Sequence, residues 1–123
     1  MIKPSESTPK TSQLVFRMIR ELFDEGEIAV IQGDKREAKL LLEKPFNHIF
    51  FTGSDKIGEI IIEASSKHLS SVTLELGGKS PVIIGKNTNI PEVAQRIMQG
   101  KAMNAGQICL APDYALINKK DIN

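Results

Sequence analysis

Short apolar runs alternate along this chain with segments whose apolar residues recur at helical spacing, and that alternation leaves few architectures open. Ile28–Ile31, His48–Thr52, Ser71–Leu76, Pro81–Ile84 and Tyr114–Ile117 read as strands. Leu14, Val15, Met18, Ile19, Leu22 and Phe23 lie on one face of a helix. Ser7, Thr8 or Thr11 can cap that helix, Pro9 suits its first turn, and Gly26 is expected to end it. Asp34 caps a second helix reaching Glu43, with Ala38, Leu41 and Leu42 inward, and Pro45 stops it. A third helix follows Gly53-Ser54, with Ile57, Ile60, Ile61 and Ala64 on its buried side. A fourth follows Asn89, with Val93, Ala94, Ile97 and Met98 as its stripe. Asn104 to Pro112 reads as a loop with one helical turn. Strands separated by helices predict an α/β layer of parallel strands joined by right-handed crossovers. Around Gly77-Gly78 two strands follow without a helix between them. A domain boundary is therefore expected there, separating residues 1–76 from 77–123.

Composition narrows the function classes. Of 123 residues, 41% are hydrophobic and 25% charged, and the net charge is +1. That size suits one modest core, and no strong field draws the chain to nucleic acid or to an anionic membrane. No apolar run approaches the ~20 residues of a membrane helix. The single cysteine cannot form an internal disulfide, and Met1-Ile2-Lys3-Pro4 does not resemble a signal segment. A reducing, cytoplasmic setting is the expectation.

Four groups of residues carry chemistry. Cys109, the one thiol, follows the polar loop Asn104-Ala105-Gly106-Gln107. There its thiolate is a candidate nucleophile and its N–H a candidate oxyanion donor, while a small buried apolar residue is the ordinary alternative. Glu75 alternates with Val72, Leu74 and Leu76. It is either a solvent-facing acid or, on a covered face, a desolvated general base. Gly53-Ser54 lies between an apolar strand and a helix, where N–H groups can receive a pyrophosphate, though a turn glycine with a serine cap is the more ordinary reading of the pair. Glu6, with Lys3 beside it, could accept hydrogen bonds from ribose hydroxyls or simply favour the helix's first turn. His48 and His68 read as structural, at a spacing that matches no metal motif.

At these residues the sequence resembles the NAD(P)-dependent aldehyde dehydrogenase superfamily. The matching stretches are KPSESTPKTS (3–12), FFTGSDKIG (51–58), VTLELGGKSP (72–81) and NAGQICLAPDY (104–114), in the family's order. The last two look most like the class-three branch, which includes coniferyl and fatty aldehyde dehydrogenases. The resemblance implies a partial Rossmann-like parallel sheet with flanking helices in 1–76 and the beginning of the catalytic domain in 77–123. It places Cys109 as nucleophile, forming a thiohemiacetal and then, after hydride transfer, a thioester. Glu75 stands where a general base activates water to hydrolyse that thioester. Lys3 and Glu6 stand at the adenosine ribose, Gly53 and Ser54 at the pyrophosphate, and Leu76 and Gly77 where the backbone passes the nicotinamide.

The implied cofactor is NAD, with NADP also tolerated in this branch, and the implied partner is a small aldehyde. No nucleic acid and no metal are expected, and the parent protein is expected to be a homo-oligomer. The family's oxyanion-hole asparagine and its nicotinamide-ribose glutamate fall outside these residues. The chain is therefore expected to be part of a longer one, with little turnover alone, since losing one oxyanion donor costs about 10²–10³ in rate. The alternative is a non-catalytic remnant that serves only in nucleotide binding or association.

Overall fold

The computed structural model describes residues 1–122. The elements follow in the order α1 (Pro9–Leu22), α2 (Lys35–Leu42), β1 (His48–Thr52), α3 (Asp55–Ser65), β2 (Ser71–Glu75), β3 (Ser80–Ile83), α4 (Ile90–Ala102) and β4 (Pro112–Leu116). The strands form two short sheets, β1 with β2 and β3 with β4. Ser71 N–H donates to the Asn47 carbonyl at 3.1 Å and Gly53 N–H to that of Glu75 at 3.0 Å. Start thus meets start and end meets end, so β1 and β2 run parallel. β3 and β4 are also parallel, with a register shift between Ser80 and Pro81. The α/β reading with parallel strands is what the chain adopts. Two compact units are distinguished, Met1–Ile49 with Ile60–Val72, and Phe50–Glu59 with Thr73–Asn123.

Local chemistry explains most element boundaries. α1 begins at Pro9, whose missing N–H costs nothing in a first turn, with Thr8 as its N-cap. It stops at Leu22 rather than running to Gly26. Phe23 turns extended after closing the last bond to Ile19, and Asp24 then opens a turn that accepts from Glu27 and Ile28. α2 carries a capping box: the Asp34 carboxylate accepts from Arg36 N–H at 2.7 Å, and that of Glu37 from Asp34 N–H at 2.9 Å. α3 sits close on β2 because Gly58 is buried and has no side chain. A Cβ there would stand 3.2 Å from Leu76 Cδ2 and 3.3 Å from Leu74 Cδ1.

Three further expectations fail. Ile28–Ile31 forms only a single bridge, Val30 to Ile2, with Ile2 N–H on Ala29 at 2.7 Å and Ile31 N–H on Ile2 at 2.8 Å. Pro4, two residues on, has no N–H with which to extend the ladder. Of the four α3 residues expected inward, only Ile61 is buried and Ala64 half-buried, while Ile57 and Ile60 are exposed, because no second layer covers that face among the described residues. In α4, Val93 and Ile97 are half-buried but Ala94 and Met98 are exposed. The buried hydrophobic residues are Val30, Ile61 and Ala111. No described helix is long and apolar enough to cross a membrane.

Replacing Asp34 by Ala removes the N-cap of α2, and urea denaturation should show a loss of about 1 kcal/mol. Unchanged stability would contradict the capping assignment.

Candidate active site

The residues read as site candidates fall into three neighbourhoods. In the first, Ile2 is pinned on the Val30 segment, and the chain turns away at Lys3-Pro4-Ser5-Glu6. Ser12, buried in α1, places its hydroxyl 2.9 Å from both the Ser5 and Thr8 carbonyls, which anchors that turn to the helix. The Lys3 ammonium meets the Glu6 carboxylate at 3.3 Å and the Pro4 carbonyl at 3.0 Å. Glu6 is lowered from the ordinary carboxyl value, first by a hydrogen bond from its own backbone N–H, then by the Lys3 ammonium. An open cleft of ≈ 370 Å³ runs beside this turn, lined by Ser5, Glu6, Ser12, Gly33, Asp34 and Glu37 among others. Sequence reading missed Ser12, Gly33 and Asp34 as its walls. The available signal is the strand–Gly–Asp–helix order at Ile31–Lys35, in which Asp34 reads only as a cap.

The second neighbourhood is the turn after β1. The Ser54 carbonyl accepts from Ile57 at 3.1 Å and Gly58 at 2.9 Å, which starts α3. A Cβ at Gly53 would stand 2.5 Å from the tip of the Phe51 ring, which would have to turn aside. Asp55 already brings a negative charge to the helix's first turn, where the dipole favours one. The Gly53 N–H bond to the Glu75 carbonyl ties this turn to the end of β2.

The third neighbourhood joins the end of β2 to the cysteine loop. Asn104 (φ 48°), Ala105 (φ 56°) and Gly106 (φ 77°) are consecutive left-handed residues. The Asn104 side-chain amide donates to the Gln107 carbonyl at 3.2 Å, and Gln107 N–H returns a bond to Asn104 at 3.1 Å. Ala105 gains no such bond from its side chain, so its left-handed backbone stores roughly 1–2 kcal/mol. Cys109 then lies in a turn closed by Ala111 N–H on the Ile108 carbonyl at 2.9 Å, with its residue exposed. Its own carbonyl occupies the space of any Cβ at position 78, so only glycine fits there without displacing backbone. Ser80 Oγ lies 3.5 Å from the same oxygen, at the outer limit of hydrogen bonding. The chain leaving β2 therefore lies against the turn that carries the thiol.

Glu75 takes the solvent-facing of its two alternatives. It is exposed at the end of β2, so no covering layer desolvates it among the described residues. Leu76 is half-buried, its side chain against Gly58, and a Cβ on Gly77 would meet open space. His48 Nδ1 pairs with Ser71 Oγ at 2.7 Å and His68 Nε2 with the Glu43 carbonyl at 3.1 Å, which ties strand and helix ends together. No metal-holding cluster occurs among the described residues.

The profile of the Aldehyde dehydrogenase family matches residues 1–122, and the chain belongs to that family. Within it the coniferyl and family 3 members are near relatives. The chain is 46% identical to coniferyl aldehyde dehydrogenase of Pseudomonas sp. (strain HR199 / DSM 7063) over 123 residues, 100% of this chain and 26% of that protein. It is 47% identical to aldehyde dehydrogenase family 3 member A2 of Macaca fascicularis over 116 residues, 94% of this chain and 24% of that protein. Among solved structures, substrate-bound AldH of Staphylococcus aureus superposes with TM-score 0.91 at 47% identity, covering 97% of this chain and 26% of that one. Mycobacterium tuberculosis aldehyde dehydrogenase complexed with NAD+ superposes with TM-score 0.86 at 29% identity, covering 96% of this chain and 25% of that one. The chain thus spans about a quarter of the length of the relatives it matches.

Because hydrogen bonding favours the charged form of Glu6, the Lys3–Glu6 pair survives acidification through the ordinary glutamate range and is lost only as pH falls through the lowered pKa. A carbon-detected titration of the Glu6 carboxyl should give a midpoint below the ordinary value, and Lys3→Met should raise it part of the way back. A midpoint at or above the ordinary value would contradict the geometry.

Proposed function

We propose that this chain carries the nucleophile and base of an NAD-dependent aldehyde dehydrogenase that oxidises a small-molecule aldehyde to its acid. The observation that carries the reading is the backbone contact of Gly78 with Cys109, which sets the segment following Glu75 against the cysteine turn. Cys109 is exposed and free, so its thiolate is accessible to a carbonyl carbon. Addition of the thiolate gives a thiohemiacetal, with the Cys109 N–H donating to the developing oxyanion. Bound NAD would supply the two-electron acceptor needed to turn that adduct into a thioester. Glu75 then takes a proton from water, and the hydroxide attacks the thioester carbon and releases acid and thiolate. Coniferyl-like aromatic and long-chain aldehydes both suit this branch as substrates. A reducing compartment suits the chemistry, since the nucleophile must remain a thiol.

Residues present fit the cofactor's parts. Lys3 and Glu6 would hold the adenosine ribose beside the open cleft, Gly53-Ser54 the pyrophosphate at the start of α3, and Leu76 and Gly77 the approach to the nicotinamide. The open space around Gly77 supports that last placement. Glu6, Asp34 and Glu37 line the cleft, and Lys3 is already paired there. Carboxylates so placed repel an added 2′-phosphate, which favours NAD over NADP. In this reading residues 1–76 belong to the dinucleotide-binding domain and 77–123 begin the catalytic domain.

The second reading is a non-catalytic remnant, and the sparse core of Val30, Ile61 and Ala111 favours it. Alkylation of Cys109 by iodoacetamide separates the two. The enzyme reading expects a thiol faster than glutathione, slowed by NAD and slowed less by NADP. A thiol no faster than glutathione and indifferent to NAD would overturn it.

A further inference from the structure

The geometry around the cysteine turn singles out a pair of charged residues that the reaction itself does not use. Lys79 lies between Gly78 and Ser80, the residues whose backbone and hydroxyl meet the Cys109 carbonyl. Its ammonium reaches Asp113, in β4 beyond the cysteine turn, at 3.2 Å to Oδ2 and 3.3 Å to Oδ1. Both carboxylate oxygens are thus engaged by one ammonium. The Lys79 side chain is 80% exposed and that of Asp113 32%, so the pair contributes little to global stability. It sits, however, where the two strands β3 and β4 change register, between Ser80 and Pro81. Ser80 pairs with Pro112 and Pro81 with Tyr114, so Asp113 is the extra residue that the ladder leaves without a partner.

We propose that Lys79 and Asp113 are positioning residues, whose ion pair locks the Cys109 turn in register with the end of β2 and so sets the spacing of the thiol and the Glu75 carboxylate. This rests on the reading of Cys109 and Glu75 as nucleophile and base. Gly78 supplies the close approach and Ser80 a second contact on the same oxygen. The ion pair adds a side-chain anchor at Asp113, which falls between the paired positions Pro112 and Tyr114 just after the turn. Replacing either partner lets the turn drift while the surrounding strands remain paired.

The test reads the influence of one group on the other. The rate of Cys109 alkylation at one fixed pH is measured on the full chain at low salt, where surface pairs are least screened. A nearby carboxylate disfavours the thiolate, so Glu75→Gln should raise that rate about threefold or more. In a Lys79→Met or Asp113→Asn background the same Glu75→Gln change should move it by markedly less. The charge-swapped chain, with Lys79→Asp and Asp113→Lys together, should restore most of the Glu75 effect. Lys101, whose side chain lies along Gly106, is left unchanged throughout. Circular dichroism of each variant confirms that the fold persists. If Glu75→Gln does nothing in the otherwise unchanged chain, the pairing of base and thiol fails and the positioning role falls with it. If its effect is present and equally large without the ion pair, or is not restored by the swap, only the positioning role is overturned.

Discussion

The Cys109 carbonyl oxygen fills the place where any side chain on residue 78 would begin. Backbone cannot swing aside as the tip of a flexible side chain can, so the contact demands glycine. Much of the second compact unit is arranged around it. Gly53 N–H fixes the Glu75 carbonyl at the end of β2, and Gly58 lets α3 lie on Leu74 and Leu76. The β3–α4–β4 crossover returns the chain so that Pro112 stands beside Ser80. Three strained or left-handed positions, Asn104, Ala105 and Gly106, then aim the turn that presents the thiol. Strain of this kind persists only where surrounding structure holds it, and it occurs here next to the proposed nucleophile.

Apolar burial contributes less than the sequence pattern suggests. α1 has its helical stripe, yet Leu14, Met18, Leu22 and Phe23 are exposed, as are Phe50 on β1 and Ile57 and Ile60 on α3. Hydrophobic stabilisation scales with the area removed from water, so these side chains add little among the described residues. Caps, turn bonds and strand ladders hold the elements instead: the Asp34–Glu37 box, the Ser12 hydroxyl on the Ser5 carbonyl, and the paired hydrogen bonds about Ile2. Such local bonding preserves element geometry while leaving the faces between elements open.

Local rules were legible in the sequence, and long-range contacts were not. Pro9, Asp34 and Asn89 mark the starts of α1, α2 and α4, because each acts within a single turn of its own helix. β1 and β2 lie where apolar β-branched and aromatic runs occur. The Ile28–Ile31 run misled, because pairing depends on a partner, and the partner's next residue but one is Pro4. The motif strings drew attention to Cys109, Glu75, Glu6 and Gly53, but not to their supports. That Gly78 meets Cys109, or that Lys79 meets Asp113, follows from a crossover whose register no spacing rule encodes. Ala105 gave no hint of its left-handed backbone, since alanine carries none of the turn preference of glycine or asparagine.

The account depends most on the side chains of residues 75 and 109 sharing one reacting centre. Placing a second thiol by Glu75→Cys and treating the chain with dibromobimane reads that proximity directly, because the reagent fluoresces strongly only when it bridges two neighbouring sulfurs. The account predicts a bridged adduct between residues 75 and 109, in one chain and independent of protein concentration. Two separately modified thiols with no bridge would contradict it.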